Sequence, residues 1–204
     1  MARRGRPRTF DRKDALLRAM RLFWTHGYEG ATLSALQEAM GGIAAPSFYA
    51  AFGSKEDLFR EAVQLYSRTL GEPMTSALAE QPSARAAIEM LLRAAAEAFT
   101  KPGAPRGCML VLTALDSAPP HPVVQKYLRR LRARRRKAIE QRVRRGIEEG
   151  ELPAVLQPAE LGSFLTTVID GLAIQARDGA SRKALYFAVR CAMAAWDSLM
   201  AEAR

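Results

Sequence analysis

Ser47, Tyr49 and Lys55 place two hydroxyls and an ammonium within one short stretch of the chain. Groups of this kind hold phosphate: hydroxyls bond its oxygens and a lysine supplies a point charge. Thr32 adds a further hydroxyl at a helix start, where it can cap the helix and reach an anion together. Catalytic chemistry is not encoded in a comparable way. The chain has no P-loop, no GxSxG, no HExxH, and no GxGxxG in a strand–helix context. His26 and His121 lack a nearby Ser, Cys or paired carboxylate. Cys108 and Cys191 stand far apart, with no CxxC, which argues against a zinc finger or a structural metal and reads as two reduced thiols. The expectation is therefore a non-enzymatic protein with no catalytic residue, metal or cofactor.

Two short helices and a glycine turn must position the phosphate-binding groups. Thr32 N-caps the first helix, whose stripe is Leu33, Leu36 and Met40. Gly41-Gly42 ends it, and Ile43 is placed to plug the angle before the second helix. Pro46 pre-sets the first turn of that second helix, where its missing N–H costs nothing. A helix this short is not stable alone. Phe48 and Phe52, four residues apart, supply the face that holds it from behind. The opposite face carries Ala44, Ala45, Ser47, Tyr49 and Ala50. Two helices on a rigid glycine turn make a helix-turn-helix, whose second helix enters the DNA major groove.

The run Pro46-Ser47-Phe48-Tyr49-Ala50-Ala51-Phe52-Gly53-Ser54-Lys55-Glu56-Asp57-Leu58-Phe59 resembles the signature of TetR-type transcriptional regulators. In that family a Tyr, a Phe three residues on and a Lys three further end the DNA-binding unit. The preceding helix fits as well, with Leu16, Ala19, Met20 and Phe23 on one face before His26-Gly27-Tyr28. The close resemblance spans Thr9 to Phe59. It implies that Thr32, Tyr49 and Lys55 contact phosphate, and that Ala44, Ala45 and Pro46 sit at or near base-reading positions. Here the sequence departs from its relatives. Many of them carry a long polar side chain where Ala44 or Ala45 stands, and the Gly41-Gly42 turn is one residue longer than usual. Alanine can only pack against a thymine methyl. Arginines of the N-terminal arm, Arg3, Arg4, Arg6 and Arg8, offer a second reader, because such arms enter narrow minor grooves. A solubilising tail is the competing reading of the same residues.

Length and charge agree with a DNA-binding regulator. The 204 residues suffice for a small DNA-binding unit and one larger core, and the formal net charge of +10 suits a polyanion. Charge alone fits RNA or an anionic membrane equally. No apolar run approaches the ~18 residues of a membrane span, and none reads as a signal peptide, so a cytoplasmic protein is expected.

No strand pattern appears, and the fold class expected is all-α. The division expected is a helix-turn-helix domain at 1–53 and a helical regulatory domain at 54–204, opened by a connecting helix over 54–80. Further helices follow: Ser83 to Thr100, apolar nearly all round; Gly107 to Leu115; Val123 to Gly150; Ala159 to Ala176; and Ser181 to Ala203. The last two are apolar on more than one face, and the resemblance implies that this pair forms a homodimer. Leu161, Leu165, Val168, Leu172, Leu185, Ala192 and Trp196 are the expected interface, with Gly162 and Gly171 among small residues that admit a neighbouring helix. Twofold symmetry matches a palindromic operator. The resemblance also implies a small-molecule effector in the regulatory domain, with Phe99, Cys108, Met109, Leu112 and Tyr127 as candidate lining or ordinary core. The basic block from Lys126 to Arg145 reads as a solvated face, as salt bridges to neighbouring helices, as an effector site, or as a weak nucleic-acid contact. The function expected is a ligand-responsive repressor; the alternative is an architectural or nonspecific nucleic-acid-binding protein.

Overall fold

The computed structural model describes residues 11–115 and 121–203. Among them the secondary structure is helical throughout. Helix α1 (Arg12–Gly30) starts at Asp11, whose carboxylate accepts from the Lys13 and Asp14 N–H groups. It bends sharply after His26, because Gly27 takes φ 68° and ψ −176°, a conformation closed to side chains with a Cβ. α2 (Leu33–Ala39) and α3 (Ala45–Phe52) are joined through Gly41 and Gly42, both left-handed at φ 97° and 76°. α4 (Lys55–Tyr66) begins at Ser54, whose hydroxyl accepts from the Asp57 N–H at 3.0 Å.

The connecting segment differs from the single helix expected over 54–80. α4 runs into a π-helical turn, Ser67–Gly71, before α5 (Glu72–Glu80). The Glu72 N–H donates to the Ser67 carbonyl, five residues back. Pro73 accounts for the widening: it has no N–H to give to Thr69, and its ring needs room against the preceding turn. The Thr69 hydroxyl also donates to the Leu65 carbonyl at 2.8 Å, competing with the backbone ladder.

The remaining helices are α6 (Ala84–Phe99), α7 (Met109–Leu115), α8 (Pro122–Glu148), α9 (Pro158–Arg177) and α10 (Arg182–Glu202). α6 is not enclosed all round as expected. Ala87, Ile88, Leu91, Leu92, Ala95 and Phe99 are buried, but Met90 is 45% exposed and Arg85, Arg93 and Glu97 face water. Buried side chains from Ala15 to Trp196 form one continuous cluster, so no gap in the core marks the division at residue 53. α1 packs on both α4 and α7, which mounts the helix-turn-helix directly on the larger bundle.

Within this one chain, the α9–α10 pair turns most of the side chains expected at the interface inward. Leu165 is 0% exposed, and Leu161, Leu172, Leu185, Ala192 and Trp196 are also buried within this one chain. These side chains fill the core, so a second copy could not reach Leu165. The outward surface belongs to other positions of the same helices. Phe164, Val168, Gly171 and Gln175 of α9, with Ala184, Phe187, Ala188, Cys191 and Ala195 of α10, line an apolar groove of about 660 Å³. Only Val168 of the expected set is half-buried on this side, although Leu172, Leu185 and Ala192 reach its floor. Gly162 is likewise internal: a Cβ there would come within 2.5 Å of the Glu140 side chain on α8. Gly171 faces open space.

The basic block of α8 is partly structural. Arg135 and Arg142 are buried, paired with Asp170 of α9 and with Glu151. Arg136 pairs with Glu140 and Arg145 with Glu149 along the helix. Burying an arginine without its carboxylate would be costly, so these pairs set the register of α8 against α9 and against the turn that follows α8.

Candidate nucleic-acid interface

Helix α3 is held by its back. Phe48 is fully buried and Phe52 nearly so, with ring centroids 6.0 Å apart. Arg12 at the start of α1 fastens the C-terminal end. Its Nε donates to the Ala51 carbonyl at 3.2 Å, its guanidinium lies 4.6 Å from the Phe52 ring centroid, and its other nitrogen pairs with Glu61 on α4 at 2.7 Å. Sequence reasoning missed this clamp, because the contact partners lie far along the chain.

The outer face of α3 is open. Ala44, Ala45, Pro46, Ser47 and Ala50 are exposed, and Tyr49 is 50% exposed with its ring edge-on to Phe48. Ala44 occupies the N-cap and supplies no side-chain cap. Thr32 does what its position implies: its hydroxyl accepts from the Ala35 N–H at 3.1 Å, and the residue is exposed. Each of these groups is exposed, and the face offered by Ala44 and Ala45 is apolar. Arg6 and Arg8 lie outside the described residues, as does the rest of the expected arm.

Lys55 has a more constrained setting than its sequence shows. It opens α4 and is half-buried, with Nζ 4.5 Å from the Tyr28 ring centroid. Burial lowers its pKa from the ordinary lysine value, and Glu29 offsets part of that shift. Tyr28 is itself wedged against Phe23, Phe59 and His121. A cation over an aromatic face is both attracted and aimed. The signal in the sequence was present as His26-Gly27-Tyr28, but nothing there pairs Tyr28 with Lys55.

The candidate effector residues separate in space. Phe99, Met109 and Leu112 are buried in the core, apart from the cavities that Tyr127 and Cys108 line. Tyr127 lies on an open groove with Arg60, Lys126 and Arg130, its ring flanked by the Arg60 and Arg130 guanidinium groups at 5.1 and 5.7 Å. Cys108 alone of the set reaches the cavity beside the π-helical turn, where it accepts a hydrogen bond from the Tyr66 hydroxyl at 3.4 Å. Among the described residues no helix is long and apolar enough to cross a membrane.

Residues 15–62 match the family described as bacterial regulatory proteins, tetR family, and residues 84–196 match the tetracyclin repressor-like C-terminal domain. The chain is 33% identical over 198 residues to the HTH-type transcriptional repressor ComR of Escherichia coli (strain K12), covering 97% of this chain and 94% of that protein. It is 30% identical to the HTH-type transcriptional repressor BdcR of the same organism, covering 94% and 89%. Among solved structures it resembles a cysteine mutant of the TetR family transcriptional regulator CifR complexed with 26bp double-strand operator DNA. That likeness has 46% identity and a TM-score of 0.88, covering 94% of this chain and 100% of that one. With the signature from Pro46 to Phe59 displayed on a buttressed, outward-facing α3, the chain belongs to the TetR family of transcriptional regulators.

Proposed function

We propose that this protein is a homodimeric repressor that binds a palindromic operator and leaves it when a small molecule enters the α4–α10 bundle. The observation that carries the reading is the outer face of α3, from Ala44 to Tyr49, exposed on a helix pinned by Phe48, Phe52 and Arg12. Thr32, Ser47, Tyr49 and Lys55 supply phosphate contacts that fix the register, while Ala44, Ala45 and Pro46 face the base edges. The groove on α9 and α10 supports the dimer. Phe187 at 59% exposure and Phe164 at 37% flank it, and an exposed apolar surface of this kind suits a twofold contact. Entry of an effector shifts the rod made by α4, the π-helical turn and α5, and the two α3 helices lose register with their half-sites. This is coupling between two distinct sites. A protein of this kind works beside DNA in the cytoplasm.

One titration tests the reading. A duplex selected from a random-sequence pool is compared with its scrambled version at fixed salt. Preference for the selected duplex, of at least about a thousandfold, is expected of a specific regulator. Equal affinity for both would replace it with the architectural reading.

A further inference from the structure

The cavity beside the π-helical turn has a volume of about 300 Å³. That is the small end of the range for ligand sites, enough for a compact molecule and too little for an extended lipid or a nucleotide. Leu70, Met74, Leu110 and Leu131 give it apolar walls. Its buried lining includes Tyr66, Cys108 and Arg135, while Arg134 and Glu72 are exposed. Arg135 has a side chain only 7% exposed. One of its nitrogens pairs with Asp170, and its Nε–H has no acceptor. Arg132 lies close by and donates to the Leu110 carbonyl at 2.8 Å. Among the described residues, three guanidinium groups (Arg132, Arg134 and Arg135) and two carboxylates (Asp170 and Glu72) lie in or beside this apolar chamber, a local surplus of one positive charge.

We propose that this cavity holds a small monoanion, a carboxylate on a short apolar body, with Arg134 and Arg135 as its anchors. The inference rests on the effector reading above and names the chemistry of that effector. A cation would meet the surplus of arginines. A dianion would exceed the local surplus of one positive charge. A neutral molecule would leave the surplus cation as it is. Occupancy also bears on the two elements that transmit a response. Ser67, Leu70 and Gly71 of the π-helical turn form part of the wall, so the ligand packs against the rod that carries the DNA-binding helices. A carboxylate on Arg135 competes with Asp170, which directly precedes Gly171 in the outward groove of α9.

Calorimetric titration of the full-length protein tests this with hexanoate and benzoate as probes and with hexanamide and benzamide as their neutral counterparts. The acids are expected to bind at least about tenfold tighter than the amides, the difference a charge-assisted hydrogen bond makes. Arg134→Gln, at an exposed position that folding does not need, should lower acid affinity about tenfold and leave the amides unchanged. Ala138→Phe fills the cavity and should abolish acid binding. Amides that bind as tightly as the acids would overturn the proposal, as would acid binding that neither variant alters, or no binding by any of the probes. Release of the selected operator duplex is measured beside the titration. Acid binding that leaves the duplex bound supports the ligand chemistry and sinks the effector reading instead.

Discussion

The Lys55 ammonium sits over the face of Tyr28, 4.5 Å from the ring centroid, and Tyr28 in turn meets the His121 ring at 5.1 Å. One aromatic side chain therefore joins the entry of α4 to the entry of α8. Lys55→Ala is expected to weaken operator binding and to flatten its log–log salt dependence by about one unit, one counterion release fewer. Anisotropy titrations at several salt concentrations measure both. An unchanged slope would show that Lys55 makes no phosphate contact.

The same lysine carries a pH signature. Burial lowers its pKa in the folded protein, with Glu29 acting against the shift. Between the folded value and the ordinary one, the unfolded chain binds more protons, so this group's contribution to stability rises with pH through that window. Its attraction for phosphate falls over the same window. The affinity gap between wild type and Lys55→Ala should therefore close before ordinary lysines titrate. A gap that persists to the pH where exposed lysines lose their protons would contradict the half-buried placement.

Tyr49→Phe removes a hydroxyl from a side chain that is half exposed and leaves its edge-on contact with Phe48 in place. Fold and thermal stability should be unchanged within about 0.5 kcal/mol. Operator affinity should fall by a similar factor for every operator variant, because phosphate contacts position without specifying. A loss confined to certain operator sequences would mean that Tyr49 reads bases.

Leu165 and Phe187 separate the core from the proposed dimer seam. Leu165→Asp places a charge at a fully buried site and should unfold the chain, at a cost of about 3–5 kcal/mol or more. Phe187→Asp changes a side chain that is 59% exposed in the monomer. It should keep helical content and yield monomers by light scattering at micromolar concentration. A Phe187→Asp protein with the mass of a dimer would remove the α9–α10 groove from the interface.

Removal of residues 1–8 tests the arm through sequence preference. With Ala44 and Ala45 proposed to face the bases, loss of Arg3, Arg4, Arg6 and Arg8 should lower affinity and reduce preference at A·T-rich flanks. Lysine replacements should restore affinity better than preference, since guanidinium sheds water more readily on entering a narrow groove. Competition between operators differing only at the flanks measures this. A truncated protein that keeps its flank preference would reduce the arm to a nonspecific tail.

Local rules were enough to place most of the helices. Thr32, Ser54, Ser83 and Ser181 cap the helices that they precede, because a hydroxyl one step before an apolar period satisfies a backbone N–H whatever lies beyond. The exposed face of α3 was legible for a similar reason: Phe48 and Phe52, four residues apart, can turn inward only if Ser47 and Tyr49 turn outward. Periodicity says that a helix has an apolar side but does not say what covers it. Leu165, Phe164, Leu172 and Phe187 are all apolar on helices with two greasy faces, and only packing against α6 and α8 decided which of them are core and which face out. The Arg12 clamp and the Lys55–Tyr28 contact likewise depend on where distant segments meet. Arg135 shows the limit most plainly. In the sequence it is one arginine in a basic run, and only the approach of α9, bringing Asp170, turned it into a buried ion pair beside a cavity.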